Sequence, residues 1–344
     1  MTAPSCPEHG PAGDPGDRFC EVCGRNLRTG EEATATAAPL PGPRSGTPPV
    51  VPWLSSRATE GDCGGCGAKV PGGGYCDSCG RRRSVGRDHA ELDLGGLAAV
   101  TDRARRPRNE DAVAIGRVAG ATVAVVCDGV STSTRADTAA TAAVESAIEE
   151  LLDALRGGAD PAEASRRGAR AAAVAARGAA GPADRDTPPS CTYVSAIVAG
   201  DAVTVSWIGD SRAYWLGPDE ALLTLDDSLR ARVAAGLPVP AVLAEEDPRS
   251  PALIRWLGAD GDQEDAHVVT VRPSGPGRIV VCSDGLHHYL PGAKDLAAAV
   301  SGLPPTPLAV AQGLTRLALE GGGHDNVAVA VLPFPVTETG GTPA

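Results

Sequence analysis

The chain has 344 residues, 42% of them hydrophobic but only 3% aromatic, and a formal net charge of -12. That length allows one large domain or two smaller ones, with a core of Val, Ala, Leu and Ile. The first 90 residues hold ten basic and ten acidic side chains, so the negative excess falls on the remainder. Such an acidic body repels nucleic acid and anionic membranes within roughly 8 Å and suits a protein that gathers carboxylates around hard cations. With no secretory h-region and no apolar run long enough to span a bilayer, the expected setting is the cytoplasm.

In chain order, residues 1–33 form a first Cys-rich unit and residues 61–83 a second. Between them, 34–60 has the Pro-, Ala- and Thr-rich composition of a flexible linker, and 84–94 reads as another. A globular domain is expected over 95–335, and a disordered tail over 336–344. Strand-like runs lie at 121–127, 193–198, 202–208, 212–216, 278–283 and 326–332. Two Ala-rich runs, 138–155 and 162–179, have helix composition and period, and shorter helices are expected at 294–300 and 308–319. The span from Gly217 to about Asp265 shows little strand pattern. Strands that lie close in sequence favour an α+β fold with antiparallel sheets over regular βαβ alternation.

Seven of the ten Cys precede residue 80. Cys6, His9, Cys20 and Cys23 form one C-x2-H, C-x2-C set; Cys63, Cys66, Cys76 and Cys79 form a C-x2-C, C-x2-C set. Each supplies the four N/S ligands of a closed tetrahedral zinc site. Units this small need the metal for their folding energy, so two structural Zn2+ are expected, held in a double zinc ribbon. Disulfides are the other use of such pairs, but they need an oxidising compartment. Cys127, Cys191 and Cys282 sit singly in apolar runs and read as buried small hydrophobes.

Five acidic stretches occur where apolar runs meet turns: "RRPRNEDA" with Arg106, Glu110 and Asp111; "VCDGV" with Asp128 and Gly129; "IGDSRAY" with Asp210, Ser211 and Arg212; "CSDGL" with Asp284 and Gly285; and "GGGHDNVAV" with Asp325 and Asn326. One Asp-Gly alone is most often just a turn. Five such sites in one domain imply carboxylates gathered at one rim of a sheet, where they would repel one another without cations. Oxygen-only ligands select Mg2+ or Mn2+, and two such ions can clamp a phosphoryl group.

In this order the motifs resemble the metal-dependent protein phosphatases of type 2C, the PPM family, over residues 95–335. The resemblance implies a β-sandwich of two antiparallel sheets flanked by helices. It implies hydrolysis of phosphoserine and phosphothreonine by a metal-bridging water, without a covalent phosphoenzyme. Carried over by motif, Asp128 would bridge two Mn2+ or Mg2+ ions, and Gly129 would offer its carbonyl. Asp284 and Asp325 would bind the second ion. Glu110 would hold waters of the first, with Asp111 close by, and Asn326 would orient its neighbours. Arg106 would grip the substrate phosphate, with Arg103, Arg105 and Arg108 as competitors for that role, while Asp210 and Arg212 would support the site's edge. Relatives bind a third metal through an acid near the start of "SCTYV"; Asp184 and Asp186 lie there. The chain departs from the family after Gly129, where "VSTSTRAD" offers no His as general acid. His287, His288 and His324, near the motifs, read as structural or surface groups.

The leading reading is a serine/threonine phosphatase whose ribbons dock or regulate. Its partners would be phosphorylated proteins, a Ser/Thr kinase or that kinase's substrates, with neither nucleic acid nor membrane. The Ala-, Gly-, Arg- and Pro-heavy composition points to a high-GC bacterial genome. The alternative is a phosphatase-like sensor without turnover, and such a protein would be expected to lack a metal ligand. Ribbons reading nucleic acid form a third possibility, which their neutral charge opposes.

Overall fold

The computed structural model describes residues 53–56, 88–243, 245–261 and 265–335, with the backbone of 5–6 and 10–11. The chain divides into two units, one of residues 1–50 and 58–85, the other of residues 51–57 and 86–344. In the first, Ser5–Cys6 pairs antiparallel with Gly10–Pro11, which sets Cys6 on a strand. The other expected zinc ligands, His9, Cys20, Cys23, Cys63, Cys66, Cys76 and Cys79, lie outside the described residues, as does the expected tail.

The second unit begins with β1 (Trp53–Ser55), β2 (His89–Asp93), β3 (Ala98–Asp102), β4 (Ala112–Val118) and β5 (Ala121–Cys127). Helices α1 (Ala136–Arg156) and α2 (Pro161–Gly178) follow. Then come β6 (Ser190–Cys191), β7 (Tyr193–Ala199), β8 (Ala202–Ile208), β9 (Arg212–Leu216) and β10 (Ala221–Leu222). After α3 (Leu229–Ala234) come β11 (Leu257–Gly258), β12 (His267–Val271) and β13 (Gly277–Cys282). The unit ends with α4 (Asp284–His287), α5 (Ala293–Ser301), α6 (Pro307–Glu320) and β14 (Val327–Phe334). One six-stranded antiparallel sheet runs β12-β8-β7-β5-β4-β1, and a second runs β10-β9-β13-β14-β3-β2.

Strand alternation explains the stacking. On β5, Ala124 and Val126 face the other sheet, while Val123, Val125 and Cys127 face α1 and α2. On β13, Ile279 and Val281 face inward, while Val280 and Cys282 meet α4, α5 and α6. The result is four layers, helix-sheet-sheet-helix. Strands covered on both sides read as unbroken apolar runs, so period-2 alternation is missing from them. Trp207 and Trp215 are the large members of the inter-sheet layer, which is otherwise aliphatic apart from Phe334. At α2, Pro161 takes the first turn and the Asp160 carboxylate accepts from the Ala162 and Glu163 amides, a standard capping arrangement.

Two expected linkers are corrected. Within 34–60, Trp53–Ser55 pairs with β4 at the sheet edge, Trp53↔Gly116 through Ser55↔Ala114. Ser56 continues the contact: its amide donates to Val113 O (2.8 Å) and its Oγ accepts from Val113 N (3.0 Å). Within 84–94, His89–Asp93 forms β2, with Ala90 and Leu92 buried and Glu91 and Asp93 exposed. That alternation is a half-buried strand pattern, and it extends the domain to the N-terminal side of residue 95. The expected helices and six strand runs are present, 121–127, 202–208 and 212–216 with the expected ends and the others with ends shifted by at most two residues.

Candidate active site

Strand register brings the acidic motifs to one end of the sandwich. In the first sheet, Ala112 pairs with Cys127, Val126 with Val194, and Tyr193 with Ile208. In the second, Arg212 pairs with Cys282, Cys282 with Val329, and Val327 with Asp102. Asp111, Asp128 and Asp210 therefore flank strand ends at the same rim as Asp284 and Asp325.

Bonds between the sheets fix this rim. Ser283 Oγ donates to Asp111 Oδ2 (2.6 Å) and accepts from Ala328 N (2.9 Å), so one buried hydroxyl ties the two sheets together. Asn326 Oδ1 accepts from Glu110 N (2.8 Å), while its Nδ2 donates to Arg103 O and Arg108 O (2.8 and 2.9 Å). Asn326 thus holds the whole 103–110 loop. Asp128 N donates to Thr192 Oγ1 (3.0 Å), which meets Ser211 Oγ at 2.7 Å. A Cβ on Gly129 would sit 2.8 Å from Glu110 O and 2.9 Å from Glu110 Cβ, so only glycine lets these segments approach.

Among the four neighbouring arginines, Arg106 reaches the rim: its Nη2 donates to Ser131 Oγ (2.5 Å) and its Nε pairs with Asp325 Oδ1 (3.0 Å). Arg103 is used elsewhere, on Pro107 O and Asp88. Arg212 forks onto Asp226 at 2.9 and 2.8 Å, a bidentate pair that supports the edge of the site. His287 is buried and donates from Nε2 to Asp210 O (3.0 Å); burial, with Arg212 adding to it, lowers its pKa to about 4. His288, Tyr289 and His324 form a ring cluster, with centroids 4.9 to 6.4 Å apart.

The electrostatics are those of carboxylates crowded out of water. Burial pushes Asp111 well up, opposed by the Ser283 hydroxyl and reinforced by Asp284 and Asp325. Burial and then Asp111, Asp284, Asp210 and Asp325 push Asp128 well up. Asp284 is raised by burial and Asp325, Glu110 by burial, and Asp210 to about 7 by burial, Asp284 and Asp226. Among the described residues, no three Asp, Glu, His or Cys side chains are already drawn together as ligands of one ion. The donors nevertheless fit hard divalent cations: they are all oxygens, and a cation offsets both the burial and the repulsion that raise Asp128 and Asp284.

Asp184 has other work. Its carboxylate accepts from Arg135, from Thr134 Oγ1 (3.0 Å) and from Gly181 N (2.8 Å). The Arg135 guanidinium leads these partners in lowering it to about 2. Sequence reasoning assigns no role to Ser283, Ser131 or Thr192, although each lies inside a motif it reads: "CSDGL", "VSTSTRAD" and "SCTYV".

The protein phosphatase 2C family model matches residues 102–306, a span that contains every rim residue except Asp325 and Asn326. The serine/threonine phosphatase stp of Listeria innocua is 36% identical over 105 residues, 30% of this chain and 41% of that protein. The chain thus matches less than half the length of that relative. The structure of the Mycobacterium tuberculosis serine/threonine phosphatase PstP/Ppp aligns with a TM-score of 0.53 and 27% identity, over 70% of this chain and 98% of that one. The catalytic domain of the serine threonine protein phosphatase PstP, solved in complex with two manganese ions, aligns with a TM-score of 0.52 and 27% identity, over 68% of this chain and 96% of that one.

Proposed function

This chain belongs to the protein phosphatase 2C family, and from that membership we propose that it is a serine/threonine protein phosphatase that hydrolyses phosphoserine and phosphothreonine in proteins. Glu110, Asp111, Asp128, Asp284 and Asp325, with the Gly129 carbonyl, would hold two Mn2+ or Mg2+ ions. When bound, such a pair supplies an activated water at neutral pH and neutralises charge on the phosphoryl group. The observation that carries this reading is the convergence of these oxygens on one rim, with Asp128 at the electrostatic centre of the cluster.

The chain's own residues divide the remaining work. Arg106, facing the rim, binds phosphoryl oxygens. Asn326 and Ser283 hold Glu110 and Asp111 in place, and second contacts of this kind fix ligand orientation. His287, with its Nε2 proton on the Asp210 carbonyl, braces the edge. The Cys-rich units, as zinc ribbons closed by four ligands each, dock or regulate. The enzyme would act in the cytoplasm, where their thiols stay reduced, on a Ser/Thr kinase or that kinase's substrates.

The test is phosphate release from a phosphothreonine peptide by the full chain. It should require Mn2+ or Mg2+ and stop with EDTA. A folded, manganese-supplied chain that releases no phosphate from any phosphopeptide would favour the sensor reading instead.

A further inference from the structure

The turn that follows Gly129 carries a second link to the phosphate-binding arginine. We propose that Ser131 is a positioning residue for Arg106, holding its guanidinium at the mouth of the rim with one edge turned to the phosphoryl oxygens. The inference rests on the phosphatase reading above. Arg106 engages two partners through one side of its fork, Nη2 with Ser131 Oγ and Nε with Asp325 Oδ1. A guanidinium has five N–H donors in a planar fork, so this arrangement leaves the Nη1/Nη2 edge for a bidentate oxyanion. Asp325 belongs to the proposed metal set, whereas Ser131 does not. The serine contact is therefore the anchor that does not compete with cations.

Ser131 can do this because other residues hold its turn. Val130 N donates to Ser190 O (3.0 Å), Ser133 N to Val130 O (2.9 Å) and Thr134 N to Thr187 O (3.1 Å). Ser133 Oγ donates to Val130 O (2.8 Å) and accepts from Ser190 N (3.2 Å). Arg135 and Asp184 close the far end. Ser133 is spent on the backbone of the turn and Thr134 on Asp184 and Thr187 O, while the Ser131 hydroxyl is spent on Arg106. Gly129, by admitting Glu110 to close approach, brings the two loops within that reach.

The test uses inorganic phosphate as probe on the full, manganese-loaded chain. Its affinity is read by calorimetry and by competitive inhibition of aryl phosphate hydrolysis. Ser131→Ala should weaken phosphate about tenfold, the low end for one hydrogen bond to a charged group, and should act on KM more than on kcat. In an Arg106→Ala background the same change should add nothing further, and Ser131→Thr should restore binding. Equal weakening in both backgrounds, or unchanged binding in Ser131→Ala, would overturn the proposal. So would a Ser131→Ala chain that loses its cooperative melting, because the residue would then be holding the turn. A wild-type chain that binds phosphate with this coupling but turns over no substrate would sink the phosphatase reading and leave the positioning role standing.

Discussion

Asp128-Gly129 and Asp284-Gly285 follow strands of the two facing sheets, and each glycine is crowded by the segment opposite. The crowding differs in kind. At Gly129 an added Cβ would meet Ala136 Cβ and the Glu110 backbone and Cβ at 2.8 to 2.9 Å. At Gly285, inside α4, it would lie 1.9 Å from the carbonyl oxygen of Asn326, at the start of β14. The first contact sets the position of a rim carboxylate. The second sets the seat of a core strand. The two glycines thus serve the site in one sheet and the seat of a strand in the other.

Asp128→Asn should show the largest effect. It should lower phosphopeptide hydrolysis by about a thousandfold or more, the several kcal/mol that a two-cation clamp supplies. Thermal melting of the metal-depleted protein should not fall, because the change removes a repelled charge. More than a tenth of the wild-type rate would remove Asp128 from the centre of the site.

Gly285→Ala should destabilise by about 2 to 3 kcal/mol, because backbone at the strand start must move. Gly129→Ala should melt closer to wild type and lose a larger share of its activity, because Glu110 is what moves. Equal melting and equal activity in the two variants would erase the distinction.

Truncation tests the edge strand. Removing residues 1–50 should leave the melting of the second unit unchanged and, if the ribbons hold zinc as proposed, halve the zinc content from about two ions to about one. Removing residues 1–57 should lower the melting temperature, because β1 and the Ser56 contacts go with it. The loss is about 1 to 3 kcal/mol for partly buried apolar side chains and ladder bonds. Identical melting of the two truncations would make β1 dispensable.

The smallest expected effect is on pH. Asp111, Asp128, Asp210 and Asp284 have folded-state values above the ordinary carboxylate range, Asp210 at about 7. Their protonated forms stabilise the fold at low pH, and that stability is lost as pH rises through the folded values. The metal-depleted chain should therefore melt lower at pH 8 than at pH 6.5. His89, raised to about 9 by its bonds to Asp102 and Glu91, acts with the same sign but is indifferent to metal. Manganese should flatten the rim's share of the slope and leave that of His89. Equal slopes with and without manganese would count against cation relief at the rim.

The acidic rim was legible because each acid stands where an apolar strand breaks, and strand ends are readable one at a time. What each acid touches was not. Ser283 meets Asp111 across 172 residues, and Ser131 meets Arg106 across 25; both pairings depend on how the sheets stack. The alternation in His89–Asp93 was readable, but the composition of the surrounding linker hid it. Trp53–Ser55 is too short for any period to show, and its pairing comes from an open sheet edge.

A rim that takes a pair of oxygen-held cations through Asp128 can be titrated with Mn2+ in the metal-depleted full chain, free ion being counted by electron paramagnetic resonance. About two manganese ions should bind per chain, and Asp128→Asn should lose that binding. An Asp128→Asn chain that takes up as much manganese as wild type, with the same affinity, would contradict that reading of the rim.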